Sequence, residues 1–432
     1  MEGPRLKMRP MADFDVSGKT VIFRPDINSP IDPATKRIVN WNRIEKTVPS
    51  LSWLLGHGAK VALIAHQGDT LDYQNLIPLA EHAEKLSALT KRKVGYVDDV
   101  CGPAAVAAVK ALAPGEAVIL GNLRYLAEEI STFETVVKLS PVEMGATWLV
   151  RSLAPLADLY VNDAFAAAHR NAPSMVAFQE LLPTAAGIQL MDEYTALKSV
   201  LDNPKRPCVY VLGGAKISDA FGMMRKVLED GAADEILITG VTGLVMLLAK
   251  DIEVGSATRK FLKDKGLEEF IPEAASLLSL WGSKYALPVD LAYEAGGERA
   301  ELDVPEAKGT ALAKDCLFPD VGHKTVELYR KKIAAAGSVF VNGPAGVYED
   351  PRWAYGTREI WKAIEEAPGY TVIGGGDTIT AATKFTDLSK YGYVCTGGGA
   401  MVRFLAGKRL PLIEAMERAY ERDLRAPARP RS

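Results

Sequence analysis

The chain has 432 residues, 48% of them hydrophobic and 24% charged, with a formal net charge of -3. That length suits two or three domains of about 150 residues each, and the apolar content excludes a disordered chain. Slight acidity argues against a dedicated nucleic-acid binder, and no apolar run approaches the roughly 20 residues of a membrane span.

The opening MEGPRLKMRP is basic, but no apolar stretch follows it as in a secretory signal. From there β-branched runs predict strands over 20–23, 61–65, 117–120, 159–161, 209–212, 236–239, 339–341 and 371–373. Helical periodicity follows at 43–55, 220–229, 357–364 and 401–405. Apolar strands alternating with helices imply parallel sheets covered on both faces. Between them, 182–203 reads as a helix leaving one unit, and PKRP punctuates the way into a second. The expected fold class is α/β, with two Rossmann-like, doubly wound parallel-sheet domains joined by a hinge helix. Boundaries fall at 1–186, 187–206 (the hinge), 207–408, and 409–432, which holds a C-terminal helix over 411–424 and a fraying tail over 426–432. Cys101, Cys208, Cys316 and Cys395 are scattered without a CxxC pair. They point to a reduced, cytoplasmic chain without a zinc site or disulfide framework.

Ligands of open parallel sheets sit beyond the carboxyl ends of the strands, and the residues there differ between the halves. The first half offers Arg24-Pro25-Asp26-Ile27-Asn28, His66-Gln67-Gly68, Asn122-Leu123-Arg124 and Asn162-Asp163, with His169-Arg170 close behind. The second offers Gly213-Gly214-Ala215-Lys216, Asn342-Gly343-Pro344-Ala345-Gly346, Gly374-Gly375-Gly376-Asp377-Thr378 and Thr396-Gly397-Gly398-Gly399. Glycine turns let backbone N–H groups approach phosphates at a helix start. Asp377 could meet a metal riding on those phosphates, and Lys216 could neutralise a group in transfer. A single GGG cluster need be no more than a tight turn; several at one sheet edge favour nucleotide binding. Gly18-Lys19-Thr20 imitates the end of a Walker A loop, but Asp13 stands at its first glycine and a strand follows. No GxGxxG fits a dinucleotide dehydrogenase, and protein-kinase motifs are absent. Arg24, Arg43, Arg124 and Arg170 suit a small polyanion if they converge, although any one alone is more often a surface ion pair. A nucleotide half facing a small-anion half describes a hinged phosphotransferase.

At this point TVIFRPDINSP (20–30) resembles the signature of the phosphoglycerate kinase family. HQG (66–68), NLRYLAEE (122–129), YVNDAFAAAHR (160–170), VLGGAKISD (211–219), NGPAGVYED (342–350), GGGDT (374–378) and TGGGA (396–400) continue the resemblance in order. HQG and AFAAAHR are most similar to the archaeal branch. The resemblance implies a bilobed kinase, with 3-phosphoglycerate on the N-terminal domain, Mg-ADP or Mg-ATP on the C-terminal one, and a last helix packing back on the first. It implies a substrate site of Arg24, Asp26, Asn28, Arg43, His66, Arg124 and Arg170. It implies a nucleotide site of Gly214, Ala215, Lys216, Gly240, Asn342, Pro344, Gly346, Val347, Glu349 (on the ribose), Gly374, Gly375, Gly376, Asp377 (holding Mg²⁺) and Thr378. Arg43, Lys216 and the helix starts at Gly375 and Gly398 would serve the transferring phosphoryl group. Partners would be small molecules only, with no nucleic acid or membrane, and the chain a monomer or homodimer.

The sequence departs from the family pattern at several points. Asp69-Thr70 follows His-Gln-Gly where a cation and proline are expected. A carboxylate roughly 6 Å from a phosphate costs about 2–3 kcal/mol at an effective dielectric near 20. Asp69 could turn outward, another cation could replace the missing one, or the enzyme could be a paralogue phosphorylating a different carboxylate. Ala220 stands where a second lysine is common, Gly121 replaces a Glu, Ala345 a Met, and His323 a frequent proline. A catalytically silent nucleotide-binding module is the reading from another class, and intact Lys216, Arg43 and Asp377 count against it.

Overall fold

Buried strands leave little freedom in how this chain folds. In the computed structural model, which describes residues 6–69 and 71–425, the first sheet comprises β1 (Thr20–Pro25), β2 (Lys60–Leu63), β3 (Val94–Tyr96), β4 (Ala117–Ile119), β5 (Leu159–Asp163) and β6 (Thr184–Ala186). Their order is β3-β4-β2-β1-β5-β6, parallel throughout. Val21, Ile22 and Phe23 of β1 are all buried, so both faces of the strand meet apolar cover, as a parallel sheet requires. Val21 lies opposite Val61 on one side and Leu159 on the other. Helix Asn42–Gly56 contributes Ile44, Leu51, Leu54 and Leu55 to the same core, the spacing of one helical face.

The chain continues through β7 (Cys208–Leu212), β8 (Glu235–Ile238), β9 (Ile252–Glu253), β10 (Tyr285–Ala286), β11 (Asp290–Ala295), β12 (Glu298–Asp303), β13 (Thr310–Ala311), β14 (Asp320–Val321), β15 (Ser338–Asn342), β16 (Tyr370–Gly374) and β17 (Tyr393–Cys395). The second large sheet is parallel, in the order β10-β8-β7-β15-β16-β17. In both sheets the first strand lies centrally, β1 between β2 and β5, and β7 between β8 and β15. The chain therefore leaves that strand to one side and returns on the other. The loops after these neighbouring strands open on one edge at the switch point where ligands bind.

Two compact units result, 1–194 with 409–432, and 195–408. The boundary falls inside helix Ile188–Leu201, and β6 occupies residues where the exit helix was expected to begin. Thr184, Ala185 and Ala186 pair with Tyr160, Val161 and Asn162, so a sheet edge claims them before the helix starts. Helix Pro411–Arg425 belongs to the first unit, where Leu412 N donates to Ala168 O at 3.2 Å and Arg422 donates to the carbonyls of Gln179 and Leu182. The expected tail over 426–432 lies outside the described residues. Sequence periodicity also passed over an antiparallel sheet of β12-β11-β14. Its hairpin turns through Gly296-Gly297, both at positive φ, a turn signal the sequence does carry.

Candidate functional site

In the first unit the loops after β1, β2, β4 and β5 assemble a cationic cluster around His66. Arg24 is 2% exposed. Its Nε donates to Ser174 Oγ at 3.3 Å, Nη1 to Pro25 O at 2.6 Å, and Nη2 to His66 Nδ1 at 3.0 Å. An arginine cannot accept, so Nδ1 is the acceptor and the ring proton resides on Nε2. Burial, then the guanidinium groups of Arg124, Arg24, Arg43 and Arg170, hold the His66 imidazole well below its ordinary pKa. His66 is thus a neutral donor among four cations.

Polar side chains lock the loops themselves. Asn122 Nδ2 donates to the carbonyls of Gln67 and Ile77, both at 2.9 Å, while its Oδ1 accepts from Gln67 N and Arg124 N. Gln67 Nε2 donates to Ser29 O, and Gly68 N donates to Asn28 Oδ1 at 2.9 Å. Arg43 meets Asp26 at 2.8 Å, an ion pair within the cluster rather than on a distant surface. Arg124 Nη1 donates to Glu129 O at 2.5 Å; burial first, then Arg170, pushes its guanidinium down to about 10, which leaves it charged at neutral pH. Glu129, buried behind these cations, accepts from Ser174 N at 2.6 Å and Ser174 Oγ at 2.7 Å. Its neighbour in function, Glu134, pairs with Arg170 at 2.5 Å. These two counter-ions were not singled out from the sequence, because only the packed structure shows which cation each faces. Asp69 is exposed, and Thr70 lies outside the described residues.

In the second unit a cleft of about 360 Å³ opens at the carboxyl edge of the sheet. Of the residues expected at the nucleotide site, Gly214, Ala215, Gly240, Pro344, Gly346, Val347, Glu349 and Asp377 line it, whereas Lys216, Asn342, Gly374, Gly375, Gly376 and Thr378 do not. Its apolar wall (Val241, Leu244, Phe261, Leu317 and Phe318) went unpredicted. Those residues come from three separate segments and share no local motif. Close backbone approach explains the glycines: a Cβ on Gly343, at φ +88°, would strike the backbone of Gly213. Gly213 N donates to Asn342 O at 3.0 Å and Gly214 N to Pro344 O at 2.8 Å. Asn342 Nδ2 donates to Gly374 O at 2.7 Å, and Gly343 N to Thr378 Oγ at 2.7 Å. The β7, β15 and β16 turns are thereby tied into one rim. Gly375, at φ +99°, precedes helix Gly376–Phe385, whose first turn carries Asp377. Lys216 Nζ stands 3.6 Å from Asp377 Oδ2, both well exposed. Gly398 starts helix Gly398–Leu405 one strand further on, after β17, and is not among the lining residues.

A model of the family described as phosphoglycerate kinase matches residues 11–408. The chain belongs to the phosphoglycerate kinase family. Phosphoglycerate kinase from Methanothermobacter thermautotrophicus is 38% identical over 411 residues, covering 95% of this chain and 97% of that one. The enzyme of that name from Thermococcus kodakarensis is 39% identical over 414 residues, covering 95% and 98%. The crystal structure of phosphoglycerate kinase from Pyrococcus horikoshii OT3 superposes with a TM-score of 0.84 at 36% identity, over 96% of this chain and all of that one. Function as an ATP-dependent phosphoglycerate kinase goes with this membership.

The departures from the phosphoglycerate kinase pattern have local reasons. A Cβ on Gly121 would come within 3.0 Å of the Asp99 carbonyl carbon, so a glutamate there would displace the neighbouring loop. Ala220 is 2% exposed; its side chain turns into the core, leaving Lys216 as the cation of this helix start. Ala345 is buried, and its amide donates to Thr357 Oγ at 3.1 Å. The amide of His323 donates to Glu301 Oε2 at 3.0 Å, a bond a proline could not make.

Proposed function

We propose that this chain catalyses 1,3-bisphosphoglycerate + ADP ⇌ 3-phosphoglycerate + ATP, with the arginine cluster holding the acid and the glycine-rimmed cleft holding the nucleotide. The observation that carries this assignment is the convergence of Arg24, Arg43, Arg124 and Arg170 on a neutral His66. Four guanidiniums suit a carboxylate and a phosphate on one small molecule, and His66 Nε2–H adds a donor that needs no proton from solution. Asp26 and Asn28 lie on the same loop, where they can accept from and donate to the hydroxyl of the acid.

In the second unit the apolar wall suits a flat base, Glu349 the ribose hydroxyls, and the glycine turns the phosphates. Asp377 fits a Mg²⁺ ion: a single exposed carboxylate at a helix start suits a cation that keeps its waters and shares phosphate oxygens. Among the described residues no group of three or more His, Cys, Asp or Glu is arranged to hold a metal. Bound there, Mg²⁺ would supply neutralisation of phosphate charge.

Transfer breaks the P–O bond to the carboxyl oxygen of the acyl phosphate and forms one to a β-phosphate oxygen of ADP. Such chemistry asks for alignment and charge stabilisation rather than covalent help. Lys216 and the backbone N–H groups near Gly375 and Gly398 would neutralise phosphate oxygens of the nucleotide, and Arg43 those of the acyl phosphate. The four cysteines are free, and among the described residues no helix is long and apolar enough to cross a membrane; the cytoplasmic location is proposed from the family membership.

Membership of the phosphoglycerate kinase family supports 3-phosphoglycerate as substrate over another acid. The test is ATP-dependent acyl phosphate formation, trapped by hydroxylamine, across 3-phosphoglycerate and a panel of small carboxylates. Saturable turnover with 3-phosphoglycerate is expected. Turnover confined to a different acid would overturn the substrate assignment.

A further inference from the structure

Arg170 is already engaged, and by a poorly matched partner. Its Nε donates to Glu134 Oε1 at 2.6 Å, and Nη2 lies 2.5 Å from that same oxygen. Nη2 is off the hydrogen-bond axis, however, and remains a buried N–H without an aligned acceptor. The second oxygen, Oε2, accepts from Asn171 N at 3.2 Å. Two donors of the guanidinium thus crowd one oxygen, where a fork-to-fork pair would use two. A tetrahedral anion presents enough oxygens to satisfy both donors at once.

The segment bearing Glu134 lies at the surface. Phe133–Val137 is a single π-helical turn with no buried residue, and Val136 and Val137 are 72% and 50% exposed. It ends at Lys138 in the left-handed region, φ +55°, a conformation that costs a residue with a side chain. Besides the ion pair, its ties include the local bonds of Thr135 to Ser131 O and Thr132 O, backbone bonds from Phe133 N to Ile130 O and from Lys138 N to Phe133 O, and a long one from Asn171 Nδ2 to Leu139 O at 3.5 Å. Few apolar contacts and exposed backbone mark a segment that opens locally at small cost. The charge of Glu134 also reaches further than Arg170, since it raises the pKa of Arg124.

We infer that Glu134 is a resident carboxylate that occupies Arg170 until the phosphate of the bound acid displaces it, so that the 131–139 segment sets the affinity for substrate. The inference rests on the reading of the arginine cluster as the acid site. Substrate binding then carries the cost of releasing Glu134, and apparent affinity falls by the fraction of molecules in which Arg170 is free. Glu134 touches no reacting atom; it acts through Arg170. Its removal changes KM rather than kcat.

Glu134→Gln keeps the shape of the side chain and the bond from Asn171 N but removes the competing charge. KM for 3-phosphoglycerate is expected to fall about fivefold, the size for a partly buried ion pair that no longer has to open, with kcat within about twofold. Hydrogen–deuterium exchange of 131–139 in the wild-type chain is measured in parallel, with and without 3-phosphoglycerate. Faster exchange on adding the acid supports displacement; unchanged or slower exchange overturns it. An unchanged or raised KM in Glu134→Gln also overturns it, because a carboxylate that merely positions Arg170 would be missed when lost. Exchange reads displacement without turnover. A wild-type chain that opened at 131–139 but did not turn over would fail the functional reading and still pass this one.

Discussion

Asp163 ends β5 just before the loop that carries Arg170, and its burial makes a measurable prediction. Its Oδ1 accepts from Leu190 N at 2.8 Å, while Oδ2 has no partner. Burial raises the carboxyl from 3.8 to about 7, against the hydrogen bonds from Ser50 and Leu190 and with a small push from Asp192. A raised folded-state value means the folded chain binds the proton more tightly than the unfolded one. The stability this confers is complete below pH 3.8 and is lost as pH rises through about 7. At 1.36 kcal/mol per unit, the loss is about 4 kcal/mol in full, of which about 2.5 kcal/mol falls between pH 5 and pH 8. Asp163→Asn keeps an acceptor for Leu190 N and never ionises. Relative to wild type, the variant should therefore gain about 2.5 kcal/mol between pH 5 and pH 8. Taking the difference at each pH cancels other titrations, including His82, pushed down to about 4, and Asp320, pushed up to about 6. The assay is urea-dependent hydrogen exchange of the amides of Leu159–Asp163, which reports unfolding of this unit alone. An identical difference at both pH values would refute the argument.

Four further outcomes follow from the two half-sites. The neutral state of His66 predicts that the acid limb of kcat/KM for 3-phosphoglycerate shows only the ionisation of the substrate's own phosphate, at about pH 6; a further step there that vanishes in His66→Asn would contradict it. Lys216 is 76% exposed, so Lys216→Ala should lower kcat about 100-fold or more without moving the thermal midpoint. Asp377→Asn should raise the Mg²⁺ concentration for half-maximal rate about tenfold, and chelation by EDTA should silence both proteins. Gly343→Ala drives a Cβ into the backbone of Gly213 and should destabilise the second unit by about 2 kcal/mol, read by urea unfolding.

The central strands were legible because burial on both faces writes an uninterrupted apolar run, as in Val21-Ile22-Phe23 and Val209-Tyr210-Val211. Three edge strands of the two large sheets were not. β3 and β6 have three residues each and β10 two, too few for any period to show, and their pairing comes from the neighbour strand. Residues that follow inner strands were likewise readable, since topology alone brings Arg24, His66 and Arg124 to one edge. What the sequence hid depends on tertiary packing. Phe261, Leu317 and Phe318 look like ordinary core residues until the chain folds a cleft around them. Glu129 and Glu134 look like surface charge until Ser174 and Arg170 meet them. The hairpin of β11 and β12 did carry a signal, Gly296-Gly297, but polar strands without an apolar run drew no attention to it.

The division of labour between the two units is tested most directly by paired calorimetric titration of 3-phosphoglycerate and of Mg-ADP. Each ligand is titrated into wild type, Arg124→Ala and Gly240→Val. Arg124 belongs to the arginine cluster proposed to hold the acid, whereas Gly240, at φ +59°, lines the cleft proposed to hold the nucleotide. Arg124→Ala should weaken 3-phosphoglycerate at least tenfold and leave Mg-ADP within about twofold, because a charge-assisted contact contributes about 1.5–3 kcal/mol. Gly240→Val should do the reverse. Loss of both ligands in either variant, or of the opposite ligand in each, would contradict the assignment of acid and nucleotide to separate units.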